Sequence, residues 1–313
     1  MAPLPLVYVH GAGPQPPAAE FKHQHDLLVF GKDMPSSRVA HYAGVRWSPP
    51  TGGGAAAAPD RSNRAKRTKA IRSTMAPEVP ADVAAAAIVT ATLTSTGPKG
   101  RGAAPGAPKP SAKVVAEAQR LVEELYREAD RVARRSPIKP KGAALGITFP
   151  DPIFRFIVGK FASDVVDYLY GPYTEAMRAP VRQALLASPS PKVIVAHSLG
   201  TIITYDVLSE AALAGLKVDL LVTVGCPLGI GNVQNRLRDR AGKPHPVPKQ
   251  LTAWSNFADR FDPVALEATL RDDFVPKTII NDEEVNNPAR NNHDLTGYLP
   301  IEIVRSAIVL AVG

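Results

Sequence analysis

Three polar side chains follow one another along the chain in an order that suits nucleophilic catalysis. Ser198 comes one residue after a short apolar run, Asp262 follows another such run, and His293 lies 31 residues after Asp262. A serine hydroxyl needs a neighbouring base to become a nucleophile, and a histidine base needs a carboxylate to orient its ring. Of the seven histidines, only His293 lies C-terminal to Asp262. The residue types and their order therefore predict a serine nucleophile, a histidine base and an aspartate.

The serine lies in the segment 196–200, Ala-His-Ser-Leu-Gly, between an apolar run and a predicted helix. Ala196 and Gly200 flank it at minus two and plus two, and small residues there favour a tight strand-to-helix turn because a larger Cβ would collide with the reversing chain. The turn would lift the Ser198 hydroxyl clear of the sheet, beside a helix N-terminus whose free N–H groups favour an oxyanion. A serine without a catalytic role at an ordinary strand-helix junction is the alternative.

This segment resembles the nucleophile elbow of the α/β-hydrolase superfamily, in the Ala-x-Ser-x-Gly form of some bacterial lipases. Ala196 replaces the first glycine of the usual pattern, and alanine remains small enough for the turn. The segment 10–13, His-Gly-Ala-Gly, follows the apolar run 4–9 and is similar to the family's His-Gly oxyanion loop. The resemblance implies that the backbone N–H groups of Ala12 and Leu199 form the oxyanion hole. A phosphate-binding loop is the alternative for 10–13, but no Gly-Lys-Ser/Thr follows.

Residues near these two segments are the candidate substrate contacts. Cys226 comes just after an apolar run, at the carboxyl edge of the predicted sheet, where open α/β folds bind ligands. It either lines the pocket or packs beneath it. The predicted substrate-binding residues are His10, Gly11, Gly13, His197, Cys226 and Leu228.

The acid has two candidates, because Asp259 precedes Asp262 in the segment 254–264. The triplet Asp-Pro-Val at 262–264 resembles the acid turn of the superfamily, and we therefore assign the acid to Asp262. Asp259 is the fallback, and capping of the next helix is the role that we expect for it.

The predicted reaction is hydrolysis of a carboxylic ester that carries an apolar acyl group. His293 removes the Ser198 proton, the alkoxide attacks the acyl carbon, and water then releases the acid from the acyl-enzyme. Amide or thioester cleavage, and acyl transfer to an alcohol, use the same residues and stay open. A non-catalytic protein that binds an anionic partner is the alternative from another class. We expect neither a metal ion nor a cofactor.

Short apolar strands alternate with helical segments on both sides of a compositionally distinct region, residues 51–145. Strands that are almost wholly apolar are typical of parallel sheets covered on both faces. The sequence therefore predicts an α/β protein, a three-layer α/β/α arrangement with a mostly parallel sheet of about six strands, formed by 1–50 and 146–313. The predicted strands are 4–9, 39–47, 192–196, 218–224, 250–255 and 277–280, and the predicted helices are 161–170, 174–186, 199–214 and 302–312.

Residues 51–145 are predicted to be a helical, Pro/Ala-rich insertion and a candidate cap or lid. They hold 17 Lys and Arg against 8 Asp and Glu, so the formal charge of +8 comes from this segment. Only one aromatic residue, Tyr126, and many Pro, Gly and Ala residues, as in the run 97–110, predict weak burial and mobile parts. Helical spacing nevertheless predicts helices at about 81–93 and at 111–135, with Ser111 as N-cap.

Three further segments have competing interpretations. His23, His25 and Asp26, with His41, lack the spacing of zinc ligands, and we interpret them as a solvated surface loop. The run 61–72 holds six cations and predicts a solvated basic face, with contact to an anionic partner as the alternative. No nucleic-acid partner is expected, because no aromatic residues are interleaved for base stacking. The apolar segment 152–161 is either a core-facing helix or a lip of the acyl pocket.

The composition of the 313-residue chain excludes a polytopic membrane protein. Mean hydropathy is -0.07, and the longest apolar runs, 83–89 and 307–312, are too short to cross a bilayer. Cys226 is the single cysteine, so an internal disulfide is excluded. Because the chain start also lacks the features of an export signal, we expect a cytoplasmic protein.

Overall fold

The computed structural model describes residues 3–45, 61–76, 78–94, 109–135, 152–241, 245–289 and 291–313. The side chains of 61–64, 153–154 and 238–241 are outside this description. The elements in chain order are β1 (Leu6–Val9), α1 (Ala18–Phe30), β2 (Ser37–Ala40), α2 (Arg61–Ser73), α3 (Ala81–Leu93), α4 (Ala112–Arg135), α5 (Pro152–Leu169), α6 (Thr174–Ala187), β3 (Lys192–His197), α7 (Leu199–Leu208), β4 (Val218–Val224), α8 (Gly231–Ala241), β5 (His245–Pro246), β6 (Leu251–Ala258), β7 (Phe274–Val275), β8 (Ile280–Glu284), α9 (Leu295–Tyr298) and α10 (Glu302–Val312).

In the described part of the chain, six parallel strands form a central sheet. The strand order is β2-β1-β3-β4-β6-β8, and β5 and β7 form a separate two-stranded pair. Because all six strands run the same way, the carboxyl ends of β1, β3, β4 and β6 lie along one edge of the sheet. Loops that carry polar side chains gather at this edge in open parallel sheets. The predicted α/β class with a parallel sheet of about six strands is confirmed.

Helices cover both faces of the sheet. On one face, α1 and α10 pack against alternate residues of the strands, and the residues of this layer are almost fully buried. The intervening strand residues point to the other face, where α7 packs on β1 and β3. Coverage on both faces explains why the strands are apolar throughout, and it confirms the three-layer α/β/α arrangement.

The two edge strands differ from the prediction. The strand predicted at 39–47 is β2, Ser37–Ala40; a 3-10 turn follows at Ala43–Val45, and residues 46 and 47 lie outside the described residues. The strand predicted at 277–280 is a 3-10 turn at Lys277–Ile279 followed by β8. β8 is polar because it lies at the sheet edge, where Asp282 accepts the Leu270 N–H at 2.9 Å. An apolar pattern detects only strands that are buried.

Two predicted helices have different bounds. The helix predicted at 161–170 begins earlier, as α5 at Pro152, and the helix predicted at 199–214 ends at Leu208, where α7 gives way to a 3-10 turn at Ala211–Leu213. By contrast, α3 and α10 have the predicted bounds.

The segment that contains His23, His25 and Asp26 is part of α1, so its interpretation as a solvated surface loop was wrong. His25 and Asp26 are buried. The Asp26 carboxylate accepts hydrogen bonds from the hydroxyls of Tyr8 (3.1 Å) and Ser37 (2.7 Å) and from the Lys22 ammonium (2.7 Å). A carboxylate with this many donors can lie on the inner face of a helix. Because buried positions of α1 are polar, the sequence lacked the apolar spacing that predicts a helix.

The chain divides into two compact units. The first comprises Met1–Gly11, Gln15–Tyr42 and Met177–Gly313 and contains the central sheet; the second comprises Ala12–Pro14 and Ala43–Ala176. The bounds predicted for the insertion, 51–145, and its role as a cap or lid stay predictions. Part of the Pro/Gly/Ala run at 97–110 lies outside the described residues.

In the second unit, helices α2 to α5 bury an apolar interior. The prediction of weak burial, made for 51–145, is wrong for α2, α3 and α4, because alanine-rich surfaces such as that of α3 let the backbones pack closely. On α4, Tyr126 is buried and its hydroxyl lies 2.7 Å from that of Thr74. Ser111 accepts the Val114 N–H at 3.3 Å, as expected of an N-cap. The interior residues include Ile71, Ile88, Val89, Leu121, Leu125, Val158 and Phe161.

The basic run 61–72 forms α2, and its cations do not share one environment. Lys66, Lys69 and Arg72 are exposed, as a solvated face requires. Arg67 is buried instead, with its guanidinium 3.0 Å from the Asp167 carboxylate. The prediction of a uniformly solvated basic face is therefore wrong at Arg67, because burial of a guanidinium is compensated there by an ion pair.

Candidate active site

Ser198 lies in a strained turn between β3 and α7. Its backbone has φ 53° and ψ -128°, a region that residues with a side chain rarely adopt and that costs about 1 to 3 kcal/mol. Hydrogen bonds hold the turn: the Ser198 N–H donates to the Val224 carbonyl at 3.2 Å, and the Ser198 carbonyl accepts from the Thr201 N–H and hydroxyl. The turn presents the Ser198 hydroxyl at the carboxyl edge of the sheet.

Two glycines allow neighbouring segments to approach this turn. A Cβ on Gly200 would lie 2.3 Å from the His10 carbonyl oxygen, and a Cβ on Gly11 would lie 2.9 Å from the Ser198 Cβ. Because no larger residue fits, the glycine at plus two of the serine sets the spacing between α7 and β1. The residue at minus two, Ala196, is fully buried in β3.

His293 connects the serine to a carboxylate. Its Nε2 lies 2.9 Å from the Ser198 Oγ, and its Nδ1 lies 2.8 Å from both carboxylate oxygens of Asp262. A carboxylate can only accept a hydrogen bond, so Nδ1 carries a proton. In the neutral imidazole Nε2 is then without a proton and can accept that of the serine. The structure thus brings together the three residues that the sequence singled out for nucleophile, base and acid.

Asp262 is fully buried, and both of its carboxylate oxygens accept hydrogen bonds. Its Oδ1 accepts the N–H groups of Val264 (2.8 Å) and Ala265 (3.1 Å), and its Oδ2 accepts the Tyr298 hydroxyl at 2.7 Å. These bonds offset the cost of burying the carboxylate and fix its orientation. Gly225, with φ 57°, is the close neighbour on the β4 side, and a Cβ there would lie 2.9 Å from the Asp262 Oδ2.

Asp259, the fallback acid, makes no hydrogen bond to His293 among those of the described residues. Its Oδ1 accepts the Phe261 N–H at 2.7 Å, and its Oδ2 accepts the Asn287 N–H at 2.6 Å and the Asn292 side-chain amide at 3.2 Å. No helix begins in the described segment 260–276, so the expected helix-capping role was wrong. Asp259 stabilises a turn and the loop before His293 instead.

His197 supports the backbone of the loop that carries His293. Burial holds its pKa well below the usual range, so the ring is neutral. Its Nε2 lies 2.7 Å from the His293 carbonyl oxygen and therefore carries the proton that it donates. The two imidazole rings have centroids 4.7 Å apart. The residue before Ser198 thus helps to fix the position of His293.

His10 and Tyr42 fix the loop after β1. Burial lowers the pKa of His10 to about 3, so its ring is neutral; Nε2 accepts the Tyr42 N–H at 3.0 Å and Nδ1 donates to the Gly11 carbonyl at 2.8 Å. The Tyr42 hydroxyl donates to the His10 carbonyl at 2.7 Å, and the rings are stacked with centroids 4.0 Å apart. This network holds Gly11 against Ser198.

The predicted oxyanion donors belong to different compact units. Leu199 begins α7, so its N–H is one of the helix's unpaired first donors next to Ser198. Ala12 belongs to the second unit, and its role as the other donor stays a prediction. Gly13, in the same unit, has φ 87°, and its N–H donates to an Asp164 carboxylate oxygen at 2.7 Å.

The remaining predicted contacts are buried. Cys226 packs beneath the edge of the sheet, where its thiol lies 3.2 Å from the Thr201 hydroxyl and burial raises its pKa to about 12. A thiol in this state is a poor nucleophile. Leu228 is fully buried as well. Roles in substrate binding for His10, Gly11, Gly13, His197, Cys226 and Leu228 stay predictions.

Sequence reasoning missed three residues at this site: Tyr42, Gly225 and Tyr298. Tyr298 lies 36 residues after its partner Asp262, in an apolar context that gives no sign of catalysis. Gly225 carried a usable signal, since a glycine directly after a buried strand points to a tight turn or a close approach. Among the described residues, no group of three or more His, Cys, Asp or Glu side chains is placed to hold a metal ion.

Comparisons of the chain with protein-family models, with curated proteins and with solved structures find no match. None of the helices in the described part of the chain is both long enough and apolar enough to span a bilayer.

Proposed function

We propose that this protein is a serine hydrolase that cleaves carboxylic esters through an acyl-enzyme intermediate. The observation that carries the proposal is the continuous chain of hydrogen bonds from the Ser198 Oγ through His293 to Asp262. Distances of 2.8 to 2.9 Å lie within the range for proton transfer between a nucleophile and its base. The strained backbone of Ser198 supports the same assignment, because such strain is concentrated at functional sites.

The proposed reaction begins when His293 takes the Ser198 proton on Nε2 and the alkoxide attacks the acyl carbon. Asp262 holds the imidazole in the required tautomer and stabilises its cation. The imidazolium then protonates the leaving alcohol, and the acyl group remains on the serine. Water, deprotonated by His293, attacks the acyl-enzyme and releases the acid.

The tetrahedral intermediate needs donors for its oxyanion. We propose the Leu199 N–H, at the N-terminus of α7, as one donor and the Ala12 N–H as the second. With this arrangement the protein resembles the α/β-hydrolase superfamily in the order nucleophile, acid, histidine and in its parallel sheet. The single, buried cysteine supports a reducing, cytoplasmic location.

Turnover of p-nitrophenyl esters with acyl chains of increasing length tests the proposal. We expect hydrolysis by the wild-type protein and loss of turnover to the background rate in Ser198→Ala. Ser209→Ala is the matched control, because Ser209 caps the other end of α7 with its hydroxyl on the Tyr205 carbonyl. The control should retain full activity.

Hydrolysis that persists in Ser198→Ala would contradict the proposed nucleophile. If the wild type cleaves no ester of the series but cleaves matched amides or thioesters in a Ser198-dependent manner, the substrate class is wrong and the triad assignment stands. Transfer of the acyl group to an added alcohol, measured in the same assay, identifies an acyltransferase.

A further inference from the structure

We propose that Asp259 and Tyr298 are positioning residues that lock the turn carrying Asp262 to the loop carrying His293. The inference rests on the proposed function, since it concerns the alignment of the same three catalytic residues. Neither residue contacts the Ser198 hydroxyl, and each binds the elements that hold the acid or the base.

The acid and the base come from separate parts of the chain. Asp262 lies in the turn after β6, whereas His293 lies in a loop that follows β8. The pairing of β6 with β8 fixes where the two segments begin, but the described residues of 285–294 form no helix or strand. A further connection between the two segments is therefore needed to hold His293 within 2.8 Å of Asp262.

Asp259 supplies a connection through its carboxylate. One oxygen accepts the Phe261 N–H, which closes the turn that leads to Asp262. The other oxygen accepts the Asn287 N–H and the Asn292 side-chain amide, and Asn292 immediately precedes His293. Asn292 itself has φ 54° and also donates to the Asn287 carbonyl, so the bend before His293 depends on this cluster.

Tyr298 supplies a second connection through its hydroxyl. The oxygen accepts the Asp259 N–H at 3.1 Å, and its proton is donated to the Asp262 Oδ2 at 2.7 Å. The ring is fully buried, and burial together with the neighbouring Asp262 carboxylate holds the pKa of Tyr298 well above its usual range. The hydroxyl therefore keeps its proton at pH values at which an exposed tyrosine would begin to lose it.

Asp259 is buried close to the buried carboxylate of Asp262, and this placement supports a positioning role for it. Its side chain is only 1% exposed, and burial raises its pKa. Burying an anion is unfavourable unless several donors compensate it, and here all three donors belong to the acid turn or to the histidine loop. An asparagine at this position would place an NH₂ against at least one of these N–H groups.

The inactivation kinetics of a fluorophosphonate, which phosphonylates an activated serine and releases fluoride, test the inference. For Tyr298→Phe and Asp259→Asn we expect a maximal inactivation rate roughly 10- to 100-fold lower than wild type, with an unchanged half-saturation concentration of the probe, because misalignment affects the chemical step. The downfield proton resonance of the His293 Nδ1–H should broaden or shift in both variants.

Two matched controls separate positioning from general stability. Asp282→Asn removes a carboxylate on β8 that, like that of Asp259, accepts backbone N–H groups. The donors here are Leu270 and Arg271. Tyr205→Phe removes a buried tyrosine hydroxyl that donates to the Pro246 carbonyl. Both controls should inactivate at the wild-type rate and keep the downfield resonance.

If Asp259→Asn does not fold, Asn292→Asp carries the same test. Aspartate tolerates the positive φ, and its carboxylate would repel Asp259 across the 3.2 Å contact. Wild-type inactivation rates in folded Tyr298→Phe and Asn292→Asp would overturn the inference, as would a change confined to the half-saturation concentration. Failure of the wild-type protein to react at all would overturn the proposed function instead, and with it the premise of the inference.

Discussion

At the scale of single residues, orientation decides what each polar group can do. The same carboxyl group occurs at Asp259 and at Asp262, and both are buried, but only Asp262 faces the His293 ring. The sequence could identify the serine, the histidine and the acidic segment because motif order and small flanking residues carry that information. It could not identify Tyr298, because a contact over 36 residues leaves no local pattern.

Asp262→Asn should lower turnover by about 10³- to 10⁴-fold, because an amide that donates to His293 favours the tautomer in which Nε2 is protonated and cannot act as a base. Ester turnover measured at saturating substrate, with circular dichroism to verify the fold, checks this. Asp282→Asn should remain within about twofold of wild type, as is usual for a change away from the reacting groups. A larger loss in Asp259→Asn than in Asp262→Asn would reverse the assignment of the acid.

At the scale of elements, the spacing between β3 and α7 determines where the Ser198 hydroxyl lies. The bounds of buried strands such as β3 and β4 were predictable from their apolar runs, whereas those of β2 and β8 were not, because edge strands carry polar residues. The close packing of α7 on β1 was only partly predictable: the sequence showed a glycine after the serine, and the structure shows the backbone that it contacts.

Gly200→Ala should destabilise the protein by about 3 kcal/mol, because its Cβ would lie 2.3 Å from a backbone oxygen and α7 must shift away from β1. The same shift displaces Ser198, so activity should fall as well. Gly215→Ala is the control: no heavy atom lies within 4 Å of its added Cβ, and its free energy of unfolding should remain within about 0.5 kcal/mol of wild type. Equal unfolding free energies for both variants, from urea titration, would contradict this packing argument.

At the scale of the whole molecule, buried neutral histidines couple folding to pH. Burial lowers the pKa of His10, His25 and His197 below the usual value of 6.5. In the unfolded chain these groups take up protons as the pH falls below about 6.5, and in the folded protein they do so only at lower pH. The unfolded state then binds more protons, so stability is lost as the pH decreases from about 6.5 toward the folded pKa values.

His10 and His197, whose pKa values lie far below 6.5 in the folded protein, should each contribute a slope of about 1.4 kcal/mol per pH unit once the pH is well below 6.5, and His25 should add to it. Urea titrations at several values between pH 7 and pH 5 measure the slope. His25→Gln should reduce the slope, whereas Gln24→Ala, at the exposed preceding position of α1, should leave it unchanged. A free energy of unfolding that is constant over this range would show that the buried rings titrate as they do in the unfolded chain.

The most direct test of the catalytic assignment is the covalent labelling of Ser198 by a fluorophosphonate, measured by intact mass and peptide mapping. The wild-type protein should gain one phosphonyl group, located on Ser198, because only a serine whose proton His293 accepts is nucleophilic enough to react. Ser198→Ala should gain none, and His293→Ala should react far more slowly. An unlabelled wild type, or a label on another residue that persists in Ser198→Ala, would contradict the account.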